Sequence, residues 1–505
     1  MNSILPLLFA VVMAPWLGPN IRIDHQNLPT HICHDCRIAV GPGAPSNQPL
    51  YVVFQDDSCT WGVRADIWFQ KSTDGGRTWL AEDLLIRRGE SWASYPDITT
   101  DPDGNVYIVY LHTDTASHKE IVCVRSSDGG ATWTAPARVD DDSLSKSKGG
   151  VRIAADSAGN LFCAWNDYRT RSSHIWSSVS TDQGATWLRN VQVDDDTTDY
   201  DCAHRDVFVQ PGTNQYLVTA DIPRWFESVP HIRFCAYLYR STDCGQTFQP
   251  GVQLDTFDYV AGHSHVVADR DHIICDYFGH SGNDPDPLLV EARTFYTQPD
   301  TWGTPYPVTN LDSLHSLYYS GTLALSADGR VHTALMISNT GGEPYLTYYA
   351  CSQDHGVSWS DLELVNEDTT ARTWYPDIGA DSDGHAYVVW EYFDGARGYI
   401  WFATNNPLAV AEQPPQVSRG AKAHAVTGHG GIEVEYQLAA AAHVRATLHD
   451  AVGRQVGVLD AGIQQSGTHR LSWNHTQEGR RLSAGAYFVL LDMGSGQVRL
   501  KSIVR

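Results

Sequence analysis

At 505 residues the chain is long enough for two or three domains with sizeable cores. Its 35 basic side chains stand against 59 acidic ones, a formal net charge of −24, and no basic cluster stands out. That balance argues against nucleic acid or an anionic membrane as a partner and suits a soluble extracellular protein.

The chain opens with an apolar run, Ile4 to Ala14, of the length of a signal-peptide core and too short to span a bilayer. Residues 1–20 therefore read as a signal peptide. No Lys or Arg precedes the run, and Pro6 and Pro15 sit badly within it, so a misplaced start or an apolar first strand is the alternative. No later segment is apolar enough to cross a membrane. Ten cysteines, an even number, fit an oxidising compartment with some disulfides. His31-Ile32-Cys33-His34-Asp35-Cys36 has metal-like spacing but no second pair to complete a tetrahedral site, so a local disulfide or plain thiols is preferred to zinc.

The stretch Ser72-Thr73-Asp74-Gly75-Gly76-Arg77-Thr78-Trp79 returns as Ser126 to Trp133, Ser180 to Trp187, Ser241 to Phe248 and Ser352 to Trp359. The first serines are 54, 54, 61 and 111 residues apart, the last interval being two periods of about 55. Arg293 to Trp302 fills the gap, and a further period lands on Ala403-Thr404-Asn405-Asn406, giving seven units. The marker is turn chemistry: Asp accepts main-chain N–H bonds, Gly supplies positive φ, and the aromatic pins the turn to its sheet.

Each unit orders its segments alike. In the second, Tyr95-Pro96-Asp97-Ile98 opens, Asp101-Pro102-Asp103-Gly104 turns, Val106–Tyr110 and Ile121–Val124 are strands, and the marker and a fourth strand follow. Four antiparallel strands repeated about an axis predict an all-β propeller, seven-bladed in preference to six, over residues 31–406. First strands line the channel, so Arg37, Asp97, Arg152, Asp206 beside Arg205, His265, Thr322 and Asp377 form a charged hub ring. Either the charges neutralise one another, or the arginines grip an anion through their forked guanidinium groups. Trp61, Trp225, Trp374 and Tyr375 offer flat rings to a sugar or to blade packing. Val139-Asp140-Asp141-Asp142 and Val193-Asp194-Asp195-Asp196 raise calcium weakly; solvated turns are the preferred reading, and no metal or other cofactor is expected.

The marker is similar to the Asp box of sialidases and other bacterial-neuraminidase-repeat proteins, over roughly residues 31–410. That resemblance implies a box between the third and fourth strands, on the face away from the active centre. It also implies an exo-α-sialidase, a retaining glycoside hydrolase, with three arginines on the substrate carboxylate. Cys36-Arg37-Ile38-Ala39 resembles the first arginine's sequence, with Ala39 for Pro, and Arg64 stands in for the second; Arg152 and Arg205 fall in blades the pattern does not use. Tyr375-Pro376-Asp377-Ile378 followed by Asp383-Gly384 and Glu391 resembles the Tyr nucleophile and its Glu base, although Tyr95-Pro96-Asp97-Ile98 repeats the tetrapeptide without a Glu. Asp57, with Asp56 beside it and Asp66 further on, holds the place of the acid, on a loop after the first unit's second strand.

Residues 407–425, with Pro407, Pro414 and Pro415, read as a linker. Residues 426–505 predict a small β-sandwich from the alternation in Val434–Leu438, Val444–Asp450, Gly467–Trp473 and Gly485–Leu490, with Gly453-Arg454 at a hairpin. They resemble FlgD-like immunoglobulin and type IX secretion sorting domains, which implies export by secretion machinery to the cell surface or beyond. Two classes of function stay open: a secreted sialidase acting on extracellular glycans or glycoproteins, or a non-catalytic glycan- or protein-binding propeller or surface scaffold.

Overall fold

The structure is a computed structural model. It describes residues 20–406 and 422–504 apart from 26–30, 45–46, 59–64, 88–91, 115, 143–146, 198–199, 227–228, 257–259, 281–288, 299, 310–315, 320–321, 339–343, 371, 396, 429–430, 439–440, 451–454, 475–484 and 493–496. The signal-peptide region, Gly453-Arg454 and most of the linker lie outside them. The chain divides into two compact units, Trp16–Ala409 and a second that holds Val410–Arg505.

The first unit is a propeller of seven blades among the described residues. Blade one comprises His31–Val40, Leu50–Ser58, Ala65–Ser72 and Leu84–Arg87, paired antiparallel in that order. The inner strands of blades two to five are Trp92–Thr100, Lys148–Ala155, Ala203–Val209 and Val260–Ala268. Blade six splits its inner strand into Ser316–Tyr319 and Leu323–Leu325, and Arg372–Ala380 opens blade seven. Blade seven draws its outer strand from the other end of the unit: Ile21–Arg22 pairs with Trp401 and Phe402 of Gly398–Thr404. Just beyond it, Asp24 Oδ1 accepts the Ile400 N–H at 2.7 Å. Ile32 of blade one also bridges to Gly398 of blade seven, so the seam is doubly tied and neither sheet edge is left open there. Closure thus uses the first strand of blade one together with a separate short strand at Ile21–Arg22.

Blades are glued by alternation. In the second strand of blade one, Leu50, Val52 and Phe54 enter the core shared with blade seven, and Tyr51 and Val53 the core shared with blade two. A strand buried on both faces reads as a continuous apolar run, which is why these second strands stand out in the sequence.

The recurring turns are built as their chemistry demands. In the first, Ser72 Oγ donates to Asp74 Oδ1 (2.7 Å) and accepts from Gly76 N (2.8 Å), while Asp74 accepts the Thr78 N–H (2.9 Å). Gly76 sits at φ 93°, and the Trp79 indole N–H closes on the Gly76 carbonyl. The turns at Ser126, Ser180, Ser241 and Ser352 repeat the serine–aspartate bond.

Two expectations are corrected. The acidic runs are solvated only at their middle residues, Asp141 and Asp195: Asp140 and Asp194 are buried and accept the third-strand N–H of Ile121 (2.7 Å) and Ile175 (2.6 Å). Asp142 pairs with the buried Lys148 (3.0 Å) and Asp196 with Arg224 (2.7 Å), so the oxygens that calcium would need are engaged by protein. Nor do the cysteines among the described residues form disulfides: Cys33 and Cys36 are separate buried thiols, the plain-thiol alternative, as are Cys123, Cys163, Cys275 and Cys351, each set in the sheet of a blade.

The second unit pairs Lys422–Gly428, Gly431–Leu438 and Gly467–Asn474 in one sheet, and Gln455–Gln464, Ala442–Asp450, Gly485–Asp492 and Gln497–Val504 in the other. Ile432, Val434 and Tyr436 of the first face Val444, Ala446, Leu448, Val489 and Leu491 of the second, a β-sandwich core.

Candidate functional site at the hub

Val40, at the end of blade one's inner strand, pairs with Leu50, which pairs with Ser72, where the marker turn begins. The start of the inner strand and the end of the second strand therefore lie on the opposite face. There the inner strands share an irregularity. Each shifts register just ahead of its hub residue, between His34 and Arg37, Ser94 and Asp97, Gly149 and Arg152, Gly262 and His265, and Trp374 and Asp377. In these five of the seven blades the bulge puts one residue in the left-handed region: Asp35 (φ 51°), Tyr95 (54°), Gly150 (58°), His263 (48°) and Tyr375 (43°). For a tyrosine or histidine this costs on the order of 1–2 kcal/mol, strain that concentrates at sites of function.

Two rings of inter-blade bonds hold the bulges. The lower one uses the hub acids: Asp97 accepts the Ile153 N–H (2.8 Å), Asp206 that of Val266 (3.1 Å) and Asp377 that of Ile38 (2.8 Å). Thr322 does the same for Ile378 (3.0 Å) and donates its hydroxyl to Asp377. The upper ring uses second strands. Gln55 accepts the Tyr95 N–H (3.2 Å), Asp221 that of His263 (3.2 Å) and Glu391 that of Asp35 (2.6 Å), each serving the left-handed residue of the following blade.

The basic hub residues stand between these acids. His265 is tied within its own blade to Asp276 (2.9 Å). Arg37 donates Nη1 to the Cys36 carbonyl (2.9 Å), and its buried Nε has no partner among the described residues. Burial lowers its pKa, but Asp377, Asp97 and Asp35 outweigh that and hold it above the ordinary value. Arg152 is held below it by burial and by Arg37. Burial pushes Asp97 up to about 6 against the pull of both arginines.

At the seam of blades seven and one the ionisable groups crowd. His34 lies 3.1 Å from Asp35 and 3.2 Å from Asp57, and Gln55 donates to Asp57 at 2.9 Å. Burial and the Asp35 charge push Glu391 up to about 8. Burial works against ionisation of His34 and Asp35 too, but their mutual bond overrides it, raising His34 well above and Asp35 below its usual range. Tyr375 and Tyr95 are the exposed rings here, at 39% and 47%. A cavity of 560 Å³ opens on the same face from Tyr95 across blades three to five, lined by Gly150, Asn166, Asp221, His263 and Phe278 among others. Arg37, Glu391 and Tyr375 are not in its lining.

Of the residues singled out from sequence, Arg37 and Asp377 meet across the seam, and Glu391 and Asp57 reach the same His34–Asp35 group. Asp56 and Asp57 are buried within the strand Leu50–Ser58, not on a loop after it; Asp56 lies opposite Asp66. Trp374 stacks on Phe393 at 5.7 Å inside its blade, which favours packing. Arg64 and Trp61 lie outside the described residues, as do the side chains of Arg205 and Trp225. The sequence offers His34 and Asp35 only as part of the metal-like run before Arg37, and Gln55 not at all; the signal that places them at the hub is their position two or three residues ahead of a hub residue, or opposite one that is.

Residues 420–495 match the family model of the FlgD Ig-like domain. Comparison with curated proteins returns no match. Among solved structures the chain is similar to a protein of unknown function from Dyadobacter fermentans, at 13% identity and a TM-score of 0.47, over 76% of this chain and 97% of that one. A Hadza microbial sialidase shows 17% identity and a TM-score of 0.44 over 74% and 65%. An α-L-arabinanase from Penicillium chrysogenum, complexed with arabinobiose, shows 15% identity and a TM-score of 0.42 over 77% and 97%.

Proposed function

We propose that the propeller acts on extracellular glycans that carry a carboxylate, as a retaining glycoside hydrolase of exo-α-sialidase type, with its reactive centre at the seam of blades seven and one. The observation that carries this reading is Arg37. Asp377 and Asp97 stand near it, yet one oxygen of each is taken by a main-chain N–H group and the second Asp377 oxygen by the Thr322 hydroxyl, and among the described residues the guanidinium keeps a buried Nε without a partner. A charge-bearing fork held and not consumed by the fold suits a ligand carboxylate.

In this reading Tyr375 attacks the anomeric carbon, because a neutral phenol avoids repulsion from the substrate carboxylate. Glu391 takes its proton. A carboxyl pushed up to about 8 is a stronger base than an ordinary one and lies closer to a phenol's usual value of about 10, so the transfer is less uphill. Asp57, bonded to His34 and Gln55, serves the leaving oxygen, and Tyr95 offers a second ring to the sugar chain. The C-terminal sandwich is the sorting unit that secretion machinery reads, delivering the propeller to the surface or the medium.

One observation favours a second reading, a glycan-binding propeller without turnover: Tyr95 takes the left-handed position that Tyr375 takes, and Gln55 accepts its N–H as Glu391 accepts that of Asp35, so this geometry satisfies the repeat whether or not chemistry follows. A chromogenic sialoside, tested beside a glycan-binding screen, separates the two. Turnover supports the hydrolase, binding alone the lectin-like module, and neither result overturns both.

A further inference from the structure

On the marker-turn face, at the junction of blades five and six, three metal-ligating side chains converge that the hub does not use. Asp269 lies 3.0 Å (Oδ1) and 3.1 Å (Oδ2) from His272 Nδ1, and its Oδ2 lies 3.1 Å from His355 Nε2. The two imidazole rings stack with centroids 3.9 Å apart and planes at 24°. One ligand atom from each residue falls within 4.8 Å of the other two, and all three side chains are half-buried.

The repeat accounts for only part of this. Other blades close the same turn with an aspartate and a nearby Asn or His: Asp101 with Asn105 (2.6 Å), Asp156 with Asn160 (2.7 Å), Asp381 with His385 (2.9 Å). Asp269 with His272 is the local version of that staple. His355 is the departure. It is the fourth residue of its marker turn, left-handed at φ 58°, where the other turns carry Gly75, Gly129, Gln183 and Cys244. A histidine there is strained, and nothing in the turn's own bonding uses its ring.

We propose that Asp269, His272 and His355 form a site for a zinc-class divalent transition-metal ion, clipping blade five to blade six with a fourth position open to solvent. Two neutral imidazoles and a carboxylate are the donor set that such an ion takes, whereas calcium and magnesium prefer oxygens throughout.

Two substitutions test this with residues that the repeat already tolerates. His355→Gln installs what blade three carries at φ 59° (Gln183), and His272→Asn installs the partner used by Asp101 and Asp156. With the full chain titrated calorimetrically with Zn²⁺ alone, the parent should bind one more equivalent than either variant, or bind it at least about tenfold more tightly. Zn²⁺ should raise the parent's Tm and leave that of the variants unmoved. His34–Asp35–Glu391 and His174–Asp194–Cys202 also bring ligand atoms together, so the difference between parent and variant is the readout. Equal stoichiometry and affinity in all three proteins, or no Zn²⁺ bound by the parent, overturns the proposal.

Discussion

Glu391 in blade seven accepts the main-chain N–H of Asp35 in blade one at 2.6 Å, the same relationship that Gln55 has with Tyr95 one blade on. A glutamine therefore holds this bond as well as a glutamate does. Glu391→Gln should fold with a Tm close to the parent's while turnover falls by about 10²- to 10⁴-fold, the usual worth of a general base. Thermal melts beside initial rates check it; a variant that keeps full turnover removes Glu391 from the chemistry.

The raised pKa of Glu391 sets the sign of two pH effects. As the base form accumulates, kcat/KM should climb through a pH of about 8 and then level off, and a flat profile from pH 6 to 9 contradicts the assignment. Stability runs the other way. A carboxyl raised in the folded state contributes fully below its ordinary range and loses that contribution as pH rises towards about 8. His34, also raised, loses its share as pH rises through its folded value, whereas Asp35, lowered, matters only at acid pH. Urea midpoints should fall from pH 5 to 8, and Glu391→Gln should flatten part of that slope.

The lower ring predicts a contrast at Asp97. Asp97→Asn keeps an acceptor for the Ile153 N–H and should cost little, since burial already pushes this carboxyl up to about 6. Asp97→Ala strands a buried N–H and should cost about 1–3 kcal/mol. Denaturant titration of the two variants reads the difference; equal stabilities would mean that the bond does not hold the ring.

Ring closure rests on a short segment before blade one. Asp24→Ala removes the acceptor of the Ile400 N–H and the partner of Arg22 (2.7 Å), and should destabilise the propeller by about 1–3 kcal/mol. A melting curve unchanged from the parent's would count against closure through this strand.

Much of the architecture was legible because its signals are local. Ser, Asp, Gly and Trp at fixed spacing mark the turns, and apolar runs such as Val106–Tyr110 mark strands buried on both faces. The outer strand of blade seven was not, since Ile21–Arg22 is two residues long and pairs across the whole ring. The acids of Asp140 and Asp194 misled, because a carboxylate capping a buried N–H looks in sequence like one facing water. At the hub, aligning units found Arg37, Asp97 and Asp377, but the neighbours His34 and Asp35 depend on a bulge, and a left-handed aspartate carries no mark in the chain.

The most direct test of the account is binding of a carboxylated sugar by Arg37→Ala. The loss of a desolvated charge-assisted pair, worth about 2–5 kcal/mol, should weaken binding of a free sialic acid or its glycoside by more than about thirtyfold, with the fold intact by circular dichroism. Tyr375→Phe, measured alongside, should bind as the parent does and turn over nothing. If Arg37→Ala binds as tightly as the parent, the guanidinium is not held for a ligand, and the hub's charges serve the ring alone.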